Sequence, residues 1–224
     1  MKIQTSIRRT AVASALAAAG LMAAPTPAHA CGGGWWPEPD VDYRIQGVAR
    51  AERQLDEGDY AAAAGAVVRM IPHIKNYEGT SRDPIVNRAL RVLAVATARA
   101  DGRLEVAREL PRALHDTWLG EDEEAQQTNL NWAVATLQHA TETDRDDVML
   151  QSELALAMSR TDDRRVEGRR KLEALAARDL LTSPEAYAEL AAQRHDEGDA
   201  TGHTAALERC RAMADEAAVC RAHG

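Results

Sequence analysis

The stretch AELAAQRHDEGDA, residues 188–200, decides how the chain is read. Leu190 and Ala191 lie among polar and charged residues, which is the spacing of one apolar stripe on a helix. Gly198 then ends that helix, and Asp199 can cap the next. A helix, a tight Gly-Asp turn and a second helix make an antiparallel hairpin. Thirty-six residues earlier, SELALAMSRTDD (152–163) carries the same pattern, with Glu153 over Glu189, Leu154 over Leu190, Ala155 over Ala191 and Asp163 over Asp199. A unit that recurs along a chain indicates an architecture of repeats.

The stripes continue outward in both directions. Val67, Met70, Ile71 and Ile74 fall on one helical face, as do Leu130, Ala133, Val134 and Leu137, and Leu172, Leu175, Ala176 and Leu180. Asp83-Pro84 and Ser183-Pro184 each put a capping side chain before a proline at the first helical position, and Thr182 to Glu185 has the spacing of a capping box. The pattern predicts helices near 43–57, 59–74, 84–100, 103–116, 122–141, 146–160, 164–180, 184–197 and 200–214, then a short turn near 216–222. Pro111 either kinks or ends the fourth of these. Short links make neighbours antiparallel. The fold class is all-α, as stacked antiparallel helical hairpins. Phe is absent and only 4% of residues are aromatic, which disfavours a β-sandwich.

The turns carry a family resemblance. Tyr187, Leu190, Ala191, Gly198, Asp199, Leu207 and Cys210 resemble one tetratricopeptide repeat, and Ala51, Gly58, Asp59, Tyr60 and Ala63 resemble another. Gly102, Leu104 and Ala107 mark a sparser unit between them. Two positions depart from the family pattern: His203 replaces a small residue and Arg50 replaces Leu. The glycine turns are 44 and then 96 residues apart rather than evenly spaced. The resemblance implies a right-handed solenoid that packs through small residues and binds a protein or peptide.

The first thirty residues read differently. Lys2, Arg8 and Arg9 precede a short Ala-rich run, with no acid before Ala28-His29-Ala30. This is the pattern of a secretory signal peptide, since a membrane span needs about 20 apolar residues. Arg8-Arg9 leaves both the general and the twin-arginine routes open. Cleavage after Ala30 exposes Cys31, which resembles the lipidated cysteine of a bacterial lipoprotein, although Ala28 stands where a large aliphatic residue is usual. Two outcomes remain open, a lipid anchor at Cys31 or a plain periplasmic product. Residues 31–42 form a Gly/Trp/Pro linker, and 43–224 the helical domain. Trp35 and Trp36 sit at a bilayer surface or cap the first hairpin.

Three cysteines are present. Cys210 and Cys220 either remain thiols or form a disulfide around a bend, because about 15 Å would separate them on one straight helix. Without the leader the chain has 24 basic against 35 acidic side chains, a net charge of −11. That excludes nucleic acid as a natural partner and restricts membrane contact to the N-terminus.

No motif for catalysis, metal or cofactor emerges. His73, His115, His139, His195, His203 and His223 are scattered and lack the spacing of zinc ligands. The acidic runs 121–124 and 144–147 lack EF-hand spacing and suit helix starts. Arg164, Arg165, Arg169, Arg170 and Lys171 form a local basic face, and Trp118 and Trp132 fill gaps between helices. The expected function is a non-catalytic scaffold or assembly factor of the cell envelope that binds an unknown protein or peptide without cofactor or metal. The alternatives are a lipid-anchored spacer and, more remotely, an all-α hydrolase that uses clustered Glu and Asp.

Overall fold

The boundaries of each helix follow from local chemistry. In the computed structural model, residues 42–77, 79–104, 122–214 and 218–222 are described. They form α1 (Tyr43–Asp56), α2 (Tyr60–Met70), a 3₁₀ turn (Ile74–Tyr77), α3 (Pro84–Arg99), α4 (Glu123–Thr143), α5 (Val148–Ser159), α6 (Arg165–Ala176), α7 (Pro184–Asp196), α8 (Ala200–Met213) and α9 (Ala218–Ala222). The described residues contain no strand, so the all-α class is observed. None of their helices is long and apolar enough to cross a membrane. They belong to one unit, Val41–Gly224.

Asp side chains start most of these helices. Asp42, Asp59, Asp83, Asp122, Asp147 and Asp199 each accept a hydrogen bond from a backbone N–H of the first turn. Each satisfies an orphan donor and places negative charge at the positive end of the helix dipole. Asp122 and Asp147 lie in the two acidic runs, whose helix-start role is thereby observed.

Several expected boundaries need correction. The helix expected to reach residue 74 ends at Met70 because Pro72 forces Ile71 out of the helical region, to φ −132° and ψ 81°. Ile74 instead sits, fully buried, on the 3₁₀ turn. The helix expected to run to residue 180 stops at Ala176. There Asp179 adopts φ 55°, Leu180 N–H donates to the Leu175 carbonyl at 3.0 Å and Asp179 N–H to the Ala176 carbonyl at 3.0 Å. This is a Schellman ending with Asp rather than Gly in the left-handed position, and the Tyr187 hydroxyl, donating to Asp179 Oδ1 at 2.9 Å, holds it in place. The expected capping role of Ser183 and the box to Glu185 do not form: Ser183 makes no side-chain cap, and Glu185 accepts from the Tyr60 hydroxyl instead. Most of the segment expected as helix 103–116 lies outside the described residues, as do Ala107, Pro111, His115 and Trp118; Arg103 and Leu104 are not helical.

Packing follows a regular order. Each helix from α1 to α8 contacts the next, and α1, α3, α5 and α7 also contact one another in sequence. The apolar interior has three parts. The first joins α1, α2 and α3 around Val48, Val67 and Leu93; the second joins α3, α4 and α5 around Val95, Leu137 and Leu150; the third joins α5 to α9 around Leu172, Leu190 and Leu207. Ten consecutive positions of α3, Ala89 to Ala98, are buried except Arg91, as expected of a central helix.

The small residues read from the turns are located. Ala51, Ala63, Leu190 and Ala191 are fully buried, and Leu207 is nearly so. Gly58, Gly102 and Gly198 have φ of 80°, 71° and 78°. Gly102 also lies against α4, where an added Cβ would stand 2.7 Å from the Gln126 carbonyl oxygen. Trp132 packs between the first two parts of the interior. His203, at a position where a small residue was expected, places Nδ1 2.9 Å from the Ala191 carbonyl oxygen and so ties α8 to α7. Cys210 and Cys220 are joined as a disulfide with Cα atoms 5.9 Å apart, fastening α9 beneath α8.

The backbones of α5 and α6 come close at Gly168. An added Cβ at Gly168 would stand 2.5 Å from the Met158 carbonyl carbon, part of a backbone that cannot yield. Replacing Gly168 by Ala is expected to lower stability by about 1–3 kcal/mol in urea unfolding, the cost of overpacking. Gly198→Ala meets no atom within 4 Å, so it should cost only the left-handed backbone term, about 1–2 kcal/mol.

Candidate functional site

Polar side chains are concentrated along one seam of this interior, where α7 meets the C-terminal ends of α3 and α5. Glu185, Glu189 and Gln193 recur every fourth residue on one face of α7, and Asp196 extends that face. At the inner end of the seam, Arg99, the last residue of α3, donates from Nη2 to Glu153 Oε1 at 2.7 Å and from Nε at 3.2 Å. The Arg99 side chain is 14% exposed and that of Glu153 is 0% exposed. Tyr60, from the start of α2, donates its hydroxyl to Glu185 Oε1 across 125 residues of sequence. Burial pulls the Arg99 pKa down, but Glu153 and Glu185 more than offset it, and the guanidinium ends above its ordinary value. Burial, then the bond to Glu185, pushes the Tyr60 phenol up. Two carboxylates share one guanidinium here, and Glu153 Oε2 and Glu185 Oε2 are buried without a hydrogen-bond partner.

The outer end of the seam opens as a polar cleft of about 310 Å³. Arg160, which follows α5, is its centre. Its Nε donates to Glu189 Oε2 at 2.9 Å, while Nη1 donates to the Ala98 and Arg99 carbonyls at 2.7 and 3.2 Å. The guanidinium thus closes the C-terminus of α3, where positive charge suits the helix dipole. Asp101 faces it at 3.9 Å with backbone φ 55°. Burial pushes the Asp101 carboxyl up; Arg160 opposes this, and Glu189 adds to it. Gln126 holds Asp101 in place by donating to its carbonyl and to Oδ2, each at 2.8 Å. Gln193 Nε2 donates to Glu189 Oε1 at 2.7 Å, and Gln193 Oε1 is left buried without a partner. Glu123, Asp162, Asp196 and Arg165 border the opening, and Arg103, whose Nη2 donates to Gln126 Oε1 at 3.1 Å, adds positive charge beside Asp101.

A half-buried charge lies on the 3₁₀ turn. Lys75 Nζ donates to Asn129 Oδ1 at 2.7 Å, and Asn129 Nδ2 donates to the Gly102 carbonyl at 3.0 Å. Burial lowers the Lys75 pKa to about 8.

Among the described expected site residues, Tyr60 alone joins the seam. Arg99, Arg160 and Asp101 were not singled out by the sequence, and Glu185 was read only as the end of a capping box. Glu153 and Glu189 were noticed only as repeat equivalents. A sequence signal existed, because Glu153 stands three residues after Leu150 and next to Leu154, beside the stripe Leu150–Leu154–Met158, and a buried acid requires a partner. The basic face of α6 is partly paired: Arg165 with Asp162, Arg169 with Glu197 and Lys171 with Glu167. Cys31, Trp35 and Trp36 lie outside the described residues. Among the described residues, no group of three His, Cys, Asp or Glu side chains could hold a metal.

Chemically, Glu153 is clamped by Arg99 at the end of α3 and Glu189 by Arg160 just past α5, while Glu185 accepts from the Tyr60 hydroxyl. Such an array holds charge in place at the junction of the helices. No family model, curated protein or solved structure matches the chain.

Removing one partner of the inner pair should be severe. Arg99→Met is expected to cost about 3–5 kcal/mol in urea unfolding, because it strands the buried Glu153 carboxylate. The double variant Arg99→Met/Glu153→Leu should recover most of that loss. By contrast, Glu52→Gln, which breaks the exposed pair with Arg88, should change stability by less than about 1 kcal/mol. For Lys75, titration of the ¹³C-dimethylated amine by NMR should give a midpoint well below that of the other lysines. Unfolded lysine titrates near 10.4, so between about pH 8 and pH 10 the unfolded chain binds more protons and stability should rise with pH.

Proposed function

We propose that the chain is an exported, non-catalytic helical-repeat protein that holds another protein in the cell envelope, built as a tetratricopeptide-like, right-handed stack of hairpins. The observation that carries this reading is the row α1–α3–α5–α7. These four first helices of successive hairpins touch in order, while α2, α4 and α6 each pack between their own first helix and the next. In a solenoid, such a row is the continuous surface offered to a partner. Three ion pairs run along it: Glu52 to Arg88 between α1 and α3, Arg99 to Glu153 between α3 and α5, and Arg160 to Glu189 between α5 and α7. The left-handed glycines at 58, 102 and 198 support the same reading. The uneven spacing of those turns fits a stack whose second hairpin carries an insertion between α3 and α4.

The compartment belongs to the same proposal and rests on the sequence. Residues 1–30 act as the leader. Cys31 is either the lipid anchor or the first residue of a periplasmic protein. The disulfide between Cys210 and Cys220 fits an oxidising compartment.

Photo-cross-linking in the native host tests the reading. A benzophenone amino acid at Ala192, on the α7 face of the cleft, is expected to give one discrete adduct in the envelope fraction, competed by excess purified protein. The same group at Glu208 on α8 should give none. The mature chain should begin at Cys31 by intact mass. A chain that keeps residues 1–30 in the cytosol and gives no adduct from Ala192 overturns the proposal.

A further inference from the structure

A small polar cavity lies between α3, α4 and the loop that enters α3. Its volume is about 50 Å³, and it is lined by Thr80, Arg91, Thr136 and His139, with Leu90 and Ala140 as an apolar wall. Local contacts hold the loop over it. Asn87 Oδ1 accepts from the Ser81 N–H at 2.7 Å, and Nδ2 donates to the Ser81 carbonyl at 2.8 Å. Gly79, at φ 86°, rests on α4, where an added Cβ would stand 3.1 Å from Thr136 Cα.

Three side chains in this cavity call for the same kind of ligand. Thr136 is 1% exposed, yet its hydroxyl has no hydrogen-bond partner, and a polar atom so buried requires one. Arg91, half-buried on α3, makes no hydrogen bond or ion pair with the described residues, and neither does the half-buried ring of His139. Among the described lining residues there is no carboxylate. Glu142, three residues beyond His139 on α4, is exposed. The Thr143 hydroxyl at the rim is already used, since it donates to the His139 carbonyl at 3.1 Å. Thr136 lies about two turns before the end of α4, outside the last turn where the negative end of the helix dipole acts.

We propose that this cavity binds a single carboxylate group, with Arg91 supplying the positive charge, Thr136 a buried hydroxyl donor and His139 a ring N–H. The inference is independent of the helical-repeat reading. Size limits the ligand. A volume of about 50 Å³ is less than twice the roughly 30 Å³ share of one water molecule, so a carboxylate enters and a ring or a sugar does not. One guanidinium balances the single charge of a carboxylate, whereas a phosphate group brings about −1.5 to −2. Thr80 is exposed, so the body that carries the carboxylate leaves past it.

The test uses the full mature chain and follows its histidine ring ¹H–¹³C signals by NMR, at fixed pH and ionic strength with chloride as the balancing anion. Sodium acetate is expected to shift the His139 signal saturably and the other histidine signals much less; His139→Gln assigns the signal. Arg91→Gln should weaken binding about tenfold or more, the loss of a charge-assisted bond. Thr136→Val should weaken it about three- to fivefold, the loss of a neutral one. Arg88→Gln removes a cation of the same helix from its exposed pair with Glu52 and should leave binding unchanged. Melting followed by circular dichroism checks that each variant is folded. The blocked peptide acetyl-Ala-Glu-Ala-amide separates the two sources of a carboxylate. Tighter binding than acetate assigns the site to an acidic segment of another protein, and weaker binding to a small free acid. Three results overturn the inference: no saturable change at His139, as for a cavity that holds only water; equal binding by folded Arg91→Gln; or inorganic phosphate binding more tightly than acetate.

Discussion

The Arg99–Glu153 pair constrains the rest of the structure more than any other contact. A carboxylate with no exposed surface is tolerated only beside a fixed opposite charge, so the C-terminus of α3 must sit against the middle of α5. Glu153 in turn occupies a position surrounded by Leu150, Leu154 and Leu156, and α5 cannot rotate without moving the acid into apolar surroundings. Register and rotation of the two central helices are therefore set together. Apolar burial is non-directional and alanine-rich helices slide easily, so a charge pair supplies specificity that the surrounding packing lacks. Arg160 repeats the device two helices later, with Glu189 as its partner and the end of α3 as its second anchor.

That device works only where backbones come close. Glycine at 168 and alanine at 51, 63 and 191 permit the approach, and the side chains that remain are short. A chain without Phe fills its interior with small and branched residues and with Trp132. It gains less burial per residue than an aromatic core would provide. The disulfide between α8 and α9 and the aspartate caps supply local stabilisation at the ends of the elements, where packing is thinnest.

The helices were legible because their stripes, caps and turns are local. The all-α class and the positions of Gly58, Gly102 and Gly198 followed from residues a few positions apart. Two boundaries were misread for reasons also present locally: Pro72 bars the helical state to Ile71, and Asp179 takes a left-handed conformation usually given to glycine. The seam was not legible in the same way. Arg99 and Glu153 are 54 residues apart, and Tyr60 and Glu185 are 125 apart. Their meeting depends on how the hairpins stack rather than on any spacing along the chain. Glu153 and Glu189 did stand out as equivalents 36 residues apart. What the alignment could not supply is that the partner of each is an arginine at the end of the preceding first helix.

The repetition of that clamp bears on how a binding site arises in the proposed stack. An arginine at the end of one first helix and a glutamate six residues into the next form a closed pair, and a perfect series of such pairs would be neutral and inert. Here the series is not perfect. Between α3 and α7, Glu185 adds a carboxylate that Arg99 must share with Glu153, and Asp101 adds another beside Arg160. Tyr60 supplies one donor to Glu185 but no charge. The excess negative charge therefore accumulates along a single face of α7, the last of the first helices, while the pairs before it stay balanced. Helices can in this way keep the same pairing rule and still gather unequal charge on one of their faces.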